Sequence, residues 1–166
     1  MALRNILVNG DETLNKKCRP VVDFNPRLHQ LLDDMAETLD HAGGVGLAAP
    51  QVGVLRNVVI VIETNVPDGE EYKIELINPE IIAQDGEQTG AEGCLSVPGE
   101  YGIVTRPMNV KVRAQDRFGE TFEVEGTGLT ARCFCHEIDH LSGHLFLEKC
   151  ERMLSDEELS GDGEEE

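Results

Sequence analysis

Residues 129–141 read LTARCFCHEIDHL and carry two histidines, His136 and His140, four positions apart. On an α-helix, which rises about 1.5 Å per residue, side chains at this spacing lie on one face, roughly 6 Å apart along the axis. Both imidazoles can then reach a single metal ion, and Glu137 beside them can act as a base. The pattern predicts a hydrolytic metal site on a helix that ends at Gly143.

The rest of the chain indicates one further helix and a series of strands. Asn25-Pro26 has the form of an N-cap and a first helical residue, and leucines and a methionine follow at helical spacing until Gly43-Gly44. Thr127 is expected to cap the helix that carries the histidines. Segments punctuated by Gly, Pro and Asp predict strands at residues 58–62, 72–77, 101–104, 110–114 and 121–124. This order predicts an α+β fold with mostly antiparallel sheets packed around the C-terminal helix.

Length and charge set the domain organisation and exclude some partners. The chain of 166 residues, 40% hydrophobic, has the size of one domain, which we assign to residues 1–154. Residues 155–166 hold seven acidic residues and no Lys or Arg, and are predicted to form a mobile acidic tail. Within it, Ser155 and Glu158 offer a capping box. The formal charge of −18 argues against nucleic acid or an anionic membrane as a direct partner.

The N-terminal sequence and the cysteines indicate the cellular compartment. The first apolar run is broken at residues 9–12 (NGDE), which is too early for a secretory signal, and no stretch is long enough to span a membrane. The 5 cysteines are odd in number and form no CxxC pair, so a disulfide framework is not expected. Together these features predict a soluble cytoplasmic protein.

A metal site needs a third ligand, and the candidates differ in geometry. The metzincin pattern HExxHxxGxxH requires a histidine where this chain has Phe146, and a thermolysin-like glutamate would have to come from the acidic tail. Cys133 lies roughly 10 Å along the axis from His140, so a short thiol cannot join both histidines at one ion. Cys94, in the glycine-containing segment EGCLSVP, is the best remaining candidate. A His₂Cys set with one open position is a known catalytic arrangement.

Three motifs carry a family resemblance. Residues 44–51 read GVGLAAPQ, residues 92–96 read EGCLS and residues 136–143 read HEIDHLSG. One HExxH motif alone is only moderately specific, but three such motifs in this order and spacing are highly specific. The chain resembles peptide deformylase from about residue 3 to residue 150, which is nearly everything except the tail.

The resemblance implies an activity and a catalytic centre. It implies a hydrolase that removes the N-formyl group from the N-terminal formylmethionine of newly synthesised proteins and releases formate. Cys94, His136 and His140 would hold a divalent metal that lowers the pKa of a bound water. Glu137 would take the water proton and return it to the leaving amine.

The resemblance also implies residues that stabilise and bind the substrate. The side-chain amide of Gln51 and the backbone N–H of Leu95 would stabilise the oxyanion. Four residues are assigned to substrate binding: Val45, Gly46, Leu129 and Cys133. For Cys133, plain core packing is the equal alternative.

Several further expectations concern the metal, the partners and the alternatives. The ion is expected to be Fe²⁺ in the cell, and the donor set also suits Zn²⁺, Ni²⁺ or Co²⁺. The expected partners are N-formylmethionyl nascent polypeptides, with a transient ribosome contact that does not use a basic tail.

Cys135 stands where many members of the family carry glutamine, and Asp139 is expected to pair with an arginine. A metallopeptidase and a non-catalytic metal-binding module are the alternative functions, and formate release from a formyl-Met peptide would separate all three.

Overall fold

Two antiparallel sheets and two α-helices make up the computed structural model, which describes residues 2–67, 69–155 and 157–158. Helix α1 spans Pro26–Ala42 and helix α2 spans Leu129–Leu141. The strands are β1 Gly46–Ala48, β2 Val58–Glu63, β3 Tyr72–Asp85, β4 Gln88–Cys94, β5 Val97–Arg106, β6 Asn109–Gln115, β7 Thr121–Thr127 and β8 Cys150–Met153. One sheet has the order β1-β2-β3-β6-β7 and the other has the order β4-β5-β8. The predicted α+β class is confirmed.

Helix α1 begins and ends where the sequence predicts. Asn25 Oδ1 accepts a hydrogen bond from Leu28 N at 3.1 Å, Pro26 takes the first helical position, and Gly43 follows the helix at φ 74°. The apolar face of α1 packs with residues of β1 and β2. Neither α1 nor any other helix in the described part of the chain is long and apolar enough to cross a membrane.

Helix α2 is the buried element that carries the two histidines. It contacts four strands of the five-stranded sheet and β5 of the other sheet, and most of its 13 residues are buried. The expected cap at Thr127 is wrong, because Thr127 ends β7 and Gly128 occupies the N-cap position at φ 60° without a side-chain cap. The chain turns directly from strand into helix at this point, and glycine adopts the required positive φ at little cost.

The strands are longer and more numerous than the sequence predicts. All five predicted segments lie in strands, but β3 continues beyond residue 77 to Asp85. Asn78, at φ 53°, lies at the register shift between β3 and β6, and its side chain hydrogen-bonds the backbone of Val21 at 2.8 and 2.9 Å. The sequence does not predict β1, β4 or β8, because GLA, QTGAEGC and CERM lack a run of β-branched residues.

The acidic tail begins with the predicted capping box. Ser155 N donates to Glu158 Oε1 at 3.1 Å, and Glu158 N donates to Ser155 Oγ at 3.2 Å. Arg152 of β8 pairs with Glu158 at 2.9 Å on the surface. The expectation of a mobile tail otherwise falls on Asp156 and residues 159–166, which lie outside the described residues.

Ending the chain at Leu154 should change stability very little. The truncation removes the exposed Arg152–Glu158 pair, and ion pairs between solvent-exposed side chains contribute little to stability. The unfolding temperature, measured by differential scanning calorimetry, should therefore shift by less than about 4 °C. A larger drop would show that the tail packs on the domain.

Candidate metal centre and active site

Three potential metal ligands converge between α2 and the end of β4. Cys94, His136 and His140 each offer a ligand atom, these atoms lie within 4.8 Å of one another, and Cys94 Sγ is 3.4 Å from His140 Nε2. Burial lowers the pKa of His140 to about 3, so its ring stays neutral as a metal ligand must. Two imidazoles and one thiolate form a donor set that would suit a divalent metal ion.

Glu92, two residues before Cys94 on β4, orients His136. Its carboxylate accepts a hydrogen bond from His136 Nδ1 at 2.6 Å, which leaves Nε2 free to act as a ligand. It also accepts from Arg106 at 2.6 and 3.1 Å and from Arg132 Nη1 at 2.8 Å, and all of these side chains are buried. Burial alone would raise the pKa of Glu92, but the hydrogen bonds from His136 and Arg106 bring it down to about 2. Glu92 is therefore ionised at neutral pH.

Sequence reasoning missed the role of Glu92 and of the two arginines. Arg106 also donates to Asp139 Oδ2 at 2.8 Å, which confirms the expected pairing of Asp139 with an arginine. The position of Glu92 inside the EGCLS motif is the only signal in the sequence. Its partners Arg106 and Arg132 are 14 and 40 residues away, where no local pattern marks them.

Glu137 lies beside the ligands without being bonded to them. Its two oxygens are 4.0 Å from Nε2 of His136 and of His140, and the side chain is almost fully buried. Oε1 has no hydrogen-bond partner among the described residues. Burial raises the pKa of Glu137 to about 7, so this carboxyl can exchange a proton near neutral pH. The arrangement suits a general base.

Gln51 and Leu95 are both close to Cys94. Gln51 is buried in the short 3-10 helix Ala49–Val52, where its Oε1 accepts from Ala48 N at 2.9 Å. Its Nε2 lies 3.6 Å from Cys94 Sγ. Leu95 directly follows Cys94 in the turn between β4 and β5. The two predicted oxyanion donors therefore lie next to the sulfur of the candidate ligand.

A cavity of about 450 Å³ opens onto Cys94, Leu95 and the α2 side chains His136 and Glu137. It is lined by residues 42–46, which lead into β1, by the β4–β5 hairpin, and by His136 and Glu137. Val45 and Gly46 are therefore in the position predicted for substrate binding. A larger hollow of about 650 Å³ at the ends of β3, β6 and β7 contains none of the predicted site residues.

Two predicted substrate residues are not brought to this cavity. Leu129, at the start of α2, is 47% exposed, and Cys133 is buried in a core cluster with residues of the five-stranded sheet. Neither residue lines the cavity. Burial raises the pKa of Cys133 to about 12, which keeps it a thiol at neutral pH. Packing accounts for the burial of Cys133, and a pocket role for either residue stays a prediction.

The family model for polypeptide deformylase matches residues 3–155. The chain belongs to the peptide deformylase family. The peptide deformylase of Lachnoclostridium phytofermentans is 56% identical over 100% of this chain and 99% of the relative. That of Agathobacter rectalis is 54% identical over 94% of this chain and 95% of the relative. The resemblance carried by the three motifs is confirmed.

Solved peptide deformylase structures have the same fold. A peptide deformylase from Legionella pneumophila has a TM-score of 0.83 at 42% identity, covering 98% of this chain and 92% of that one. The peptide deformylase from Thermotoga maritima has a TM-score of 0.82 at 38% identity, covering 89% and 97%. The protein is therefore a metal-dependent hydrolase of protein biosynthesis that removes the N-formyl group from newly made chains.

Gly46 leaves no room for a side chain in this deformylase. A Cβ built on it would lie 2.6 Å from Glu137 Oε2 and 2.9 Å from Glu137 Cγ. Gly46→Ala should displace the carboxylate and lower kcat by roughly tenfold or more, since about 1 Å of misplacement can cost 10²-fold. Gly90→Ala is the matched control, because a Cβ there meets only Arg132 Nη2 at 3.8 Å. Equal deformylation rates for the two variants would show that the carboxylate tolerates displacement.

Proposed function

We propose that Cys94, His136 and His140 hold one divalent ion and that Glu137 is the base of the deformylation. The observation that carries the proposal is the convergence of three ligand atoms within 4.8 Å, beside a buried carboxyl oxygen that no described residue binds. A divalent ion bound there would lower the pKa of a water molecule toward neutrality. Glu137 takes the proton of that water as it attacks the formyl carbon, and then returns the proton to the leaving amine. The products are formate and a free methionyl N-terminus.

We infer that two donors stabilise the charge that develops on the formyl oxygen. We assign them to the side-chain amide of Gln51 and the backbone N–H of Leu95. Gln51 Nε2 points toward Cys94, because Ala48 N holds the amide oxygen on the other side. Donors that are already oriented need no rearrangement during the reaction, which is the main source of their effect on rate.

The substrate backbone is assigned to the free edge of β1. This strand stands first in the order of the five-stranded sheet and pairs with β2, with Gly46 opposite Val61. An extended peptide can add to the other edge by backbone hydrogen bonds. The backbone of Gly46 is then its partner, and Val45 in the same cavity contacts its side chains.

Fe²⁺ is the ion that we propose for the enzyme in the cell. The family resemblance supports this choice, and the imidazole and thiolate donors suit it, as they suit Zn²⁺, Ni²⁺ and Co²⁺. Elemental analysis of anaerobically purified protein should find iron. Cys94→Ala and His140→Ala should lose the metal, whereas the matched thiol variant Cys133→Ala should retain it. Full occupancy in Cys94→Ala would contradict the ligand set.

Formate release tests the function directly. The enzyme should convert formyl-Met-Ala-Ser to formate and Met-Ala-Ser in equal amounts, without cutting an internal peptide bond. A metallopeptidase would instead produce shorter fragments, and a non-catalytic metal-binding protein would produce nothing. Either outcome would refute the proposal.

The substrates and the compartment follow from this reaction. We place the enzyme in the cytoplasm, where it acts on N-formylmethionyl chains as they are synthesised. A transient contact with the ribosome would not use a basic tail, because residues 155–166 contain no Lys or Arg. The formal charge of −18 disfavours direct binding to nucleic acid or to an anionic membrane.

A further inference from the structure

The turn between β4 and β5 is half-buried at Leu95 and fully buried at Ser96, although hairpin turns usually lie on the surface. Leu95 and Ser96 connect Cys94 of β4 to Val97 of β5, and Ser96 is 0% exposed. Connections normally run over the surface because a buried turn must find partners for all its polar groups. The partners of Ser96 therefore indicate what this turn holds in place.

Ser96 contacts both Cys94 and Gln51. Its hydroxyl accepts a hydrogen bond from Gln51 Nε2 at 3.0 Å, and its backbone N–H donates to Cys94 Sγ at 3.4 Å. Gln51 Nε2 makes a second contact with Cys94 Sγ at 3.6 Å. Because Oε1 is held by Ala48 N at 2.9 Å, both ends of the Gln51 amide are engaged.

The N-terminal segment anchors the same two residues through the backbone. Leu7 N donates to the carbonyl of Gln51, and Asn9 N donates to the carbonyl of Ser96, both at 2.7 Å. Two alternate residues of one segment thus fix the main chain of both partners. The hydrogen bond between the hydroxyl and the amide therefore joins two side chains whose backbones are already tied in place.

We propose that Ser96 is a positioning residue for deformylation. Its hydroxyl holds one N–H of the Gln51 amide, so that the other N–H faces the reacting group beside Cys94. The proposal rests on the proposed oxyanion role of Gln51. Without the hydroxyl only the hydrogen bond from Ala48 N and the 3.6 Å contact with Cys94 Sγ restrain the amide about its terminal torsion, which is broad and roughly two-fold. The donor is then correctly aimed in only part of the molecules, so stabilisation of the transition state falls while substrate binding does not.

Kinetic measurements on single variants give the first test. Ser96→Ala should lower kcat on formyl-Met-Ala-Ser by about tenfold, with KM within about twofold, and Gln51→Ala should show the same split with a loss of about 10²-fold. Thr38→Ala is the matched control, because it removes a buried hydroxyl, 3% exposed, from α1. It should lower the unfolding temperature and leave kcat unchanged. An unchanged kcat in Ser96→Ala would overturn the proposal.

The double variant separates a positioning role from an independent one. If Ser96 acts only through Gln51, the double alanine variant has the kcat of Gln51→Ala alone. Losses that multiply would show that Ser96 acts by another route and would overturn the proposal. An unaffected kcat in Gln51→Ala would also overturn it. Formate release by the unaltered enzyme tests the proposed function separately, so the two failures are distinguishable.

A second measurement does not depend on catalysis. In ¹⁵N-labelled protein, the side-chain amide protons of Gln51 should exchange with solvent at least about tenfold faster in Ser96→Ala than in the unaltered protein. The side-chain amide of Gln30, which donates to Asp34 at 2.7 Å on α1, should keep its rate and serves as the internal reference. Equal exchange rates for Gln51 in both proteins would show that the hydroxyl does not hold the amide.

Discussion

Glu137→Gln should lower kcat on formyl-Met-Ala-Ser by about 10²–10⁴-fold and leave the metal content unchanged. The substitution keeps the size of the side chain and removes its ability to take up a proton. In Glu137, Oε2 lies 4.0 Å from His136 Nε2 and Oε1 lies 4.0 Å from His140 Nε2. Glu137 is not one of the proposed metal ligands, so the substitution does not remove a ligand. Steady-state kinetics and elemental analysis of the same samples measure the two effects.

The pH dependence of the rate gives a second signature of Glu137. Burial raises its pKa to about 7, and a bound cation brings that pKa down again. Because a base must be ionised to act, the rate should rise with pH to a plateau that begins at or below about pH 7, and Glu137→Gln should lack this rise. Glu148→Gln, the same substitution on a side chain that is 54% exposed, should leave the profile unchanged. Near-normal turnover by Glu137→Gln would rule it out as the base.

Glu92→Gln should lower the free energy of unfolding by about 3–5 kcal/mol, because it removes one partner of a buried ion-pair network. Arg132 and His136 lose their carboxylate, and Arg106 keeps only Asp139. Urea denaturation measures the loss. The ring of His136 also loses its orienting acceptor, so metal affinity should fall by about 10–100-fold.

The acid dependence of stability checks the same network. The folded-state pKa of Glu92, about 2, lies below its ordinary value of 4.5. The contribution of Glu92 to the free energy of unfolding is therefore fully present above pH 4.5 and is lost as the pH falls toward 2. In Glu92→Gln this part of the pH dependence should be absent. Glu80→Gln is the surface control, since its 68% exposed side chain pairs with Arg113 at 3.7 Å and contributes at most about 1 kcal/mol. Equal destabilisation by the two variants would contradict the prediction.

The parts of the fold that local signals encode could be predicted from the sequence. Helix α1 begins at an Asn-Pro pair and ends at a glycine. The four-residue spacing of the two histidines indicates that the segment of α2 is helical. The motif EGCLS identified Cys94, which the structure brings within 4.8 Å of both histidines. Each of these features is encoded in a short stretch of neighbouring residues, so it could be predicted from this sequence.

The features that depend on distant residues could not be predicted in the same way. Glu92 acquires its partners only when β4, β5 and α2 pack together, and β4 becomes a strand by pairing with β5 and not through its own composition. Gly128 replaces Thr127 as the helix N-cap because β7 leads into α2 without a loop. Helical spacing alone also put Cys133 on the metal-facing side, while the structure buries it in the core.

Hydrogen bonds from protein groups restrain two of the three proposed ligands. The turn at Ser96 fixes Cys94, and Glu92 with its two arginines fixes His136. A zinc finger, in contrast, folds only when it binds its metal, so its binding free energy is also its folding free energy. Treatment of this enzyme with a chelator should therefore leave a folded protein with a cooperative thermal transition. We expect such a protein to exchange one divalent ion for another without refolding, so that the ion it holds depends on which ions are supplied.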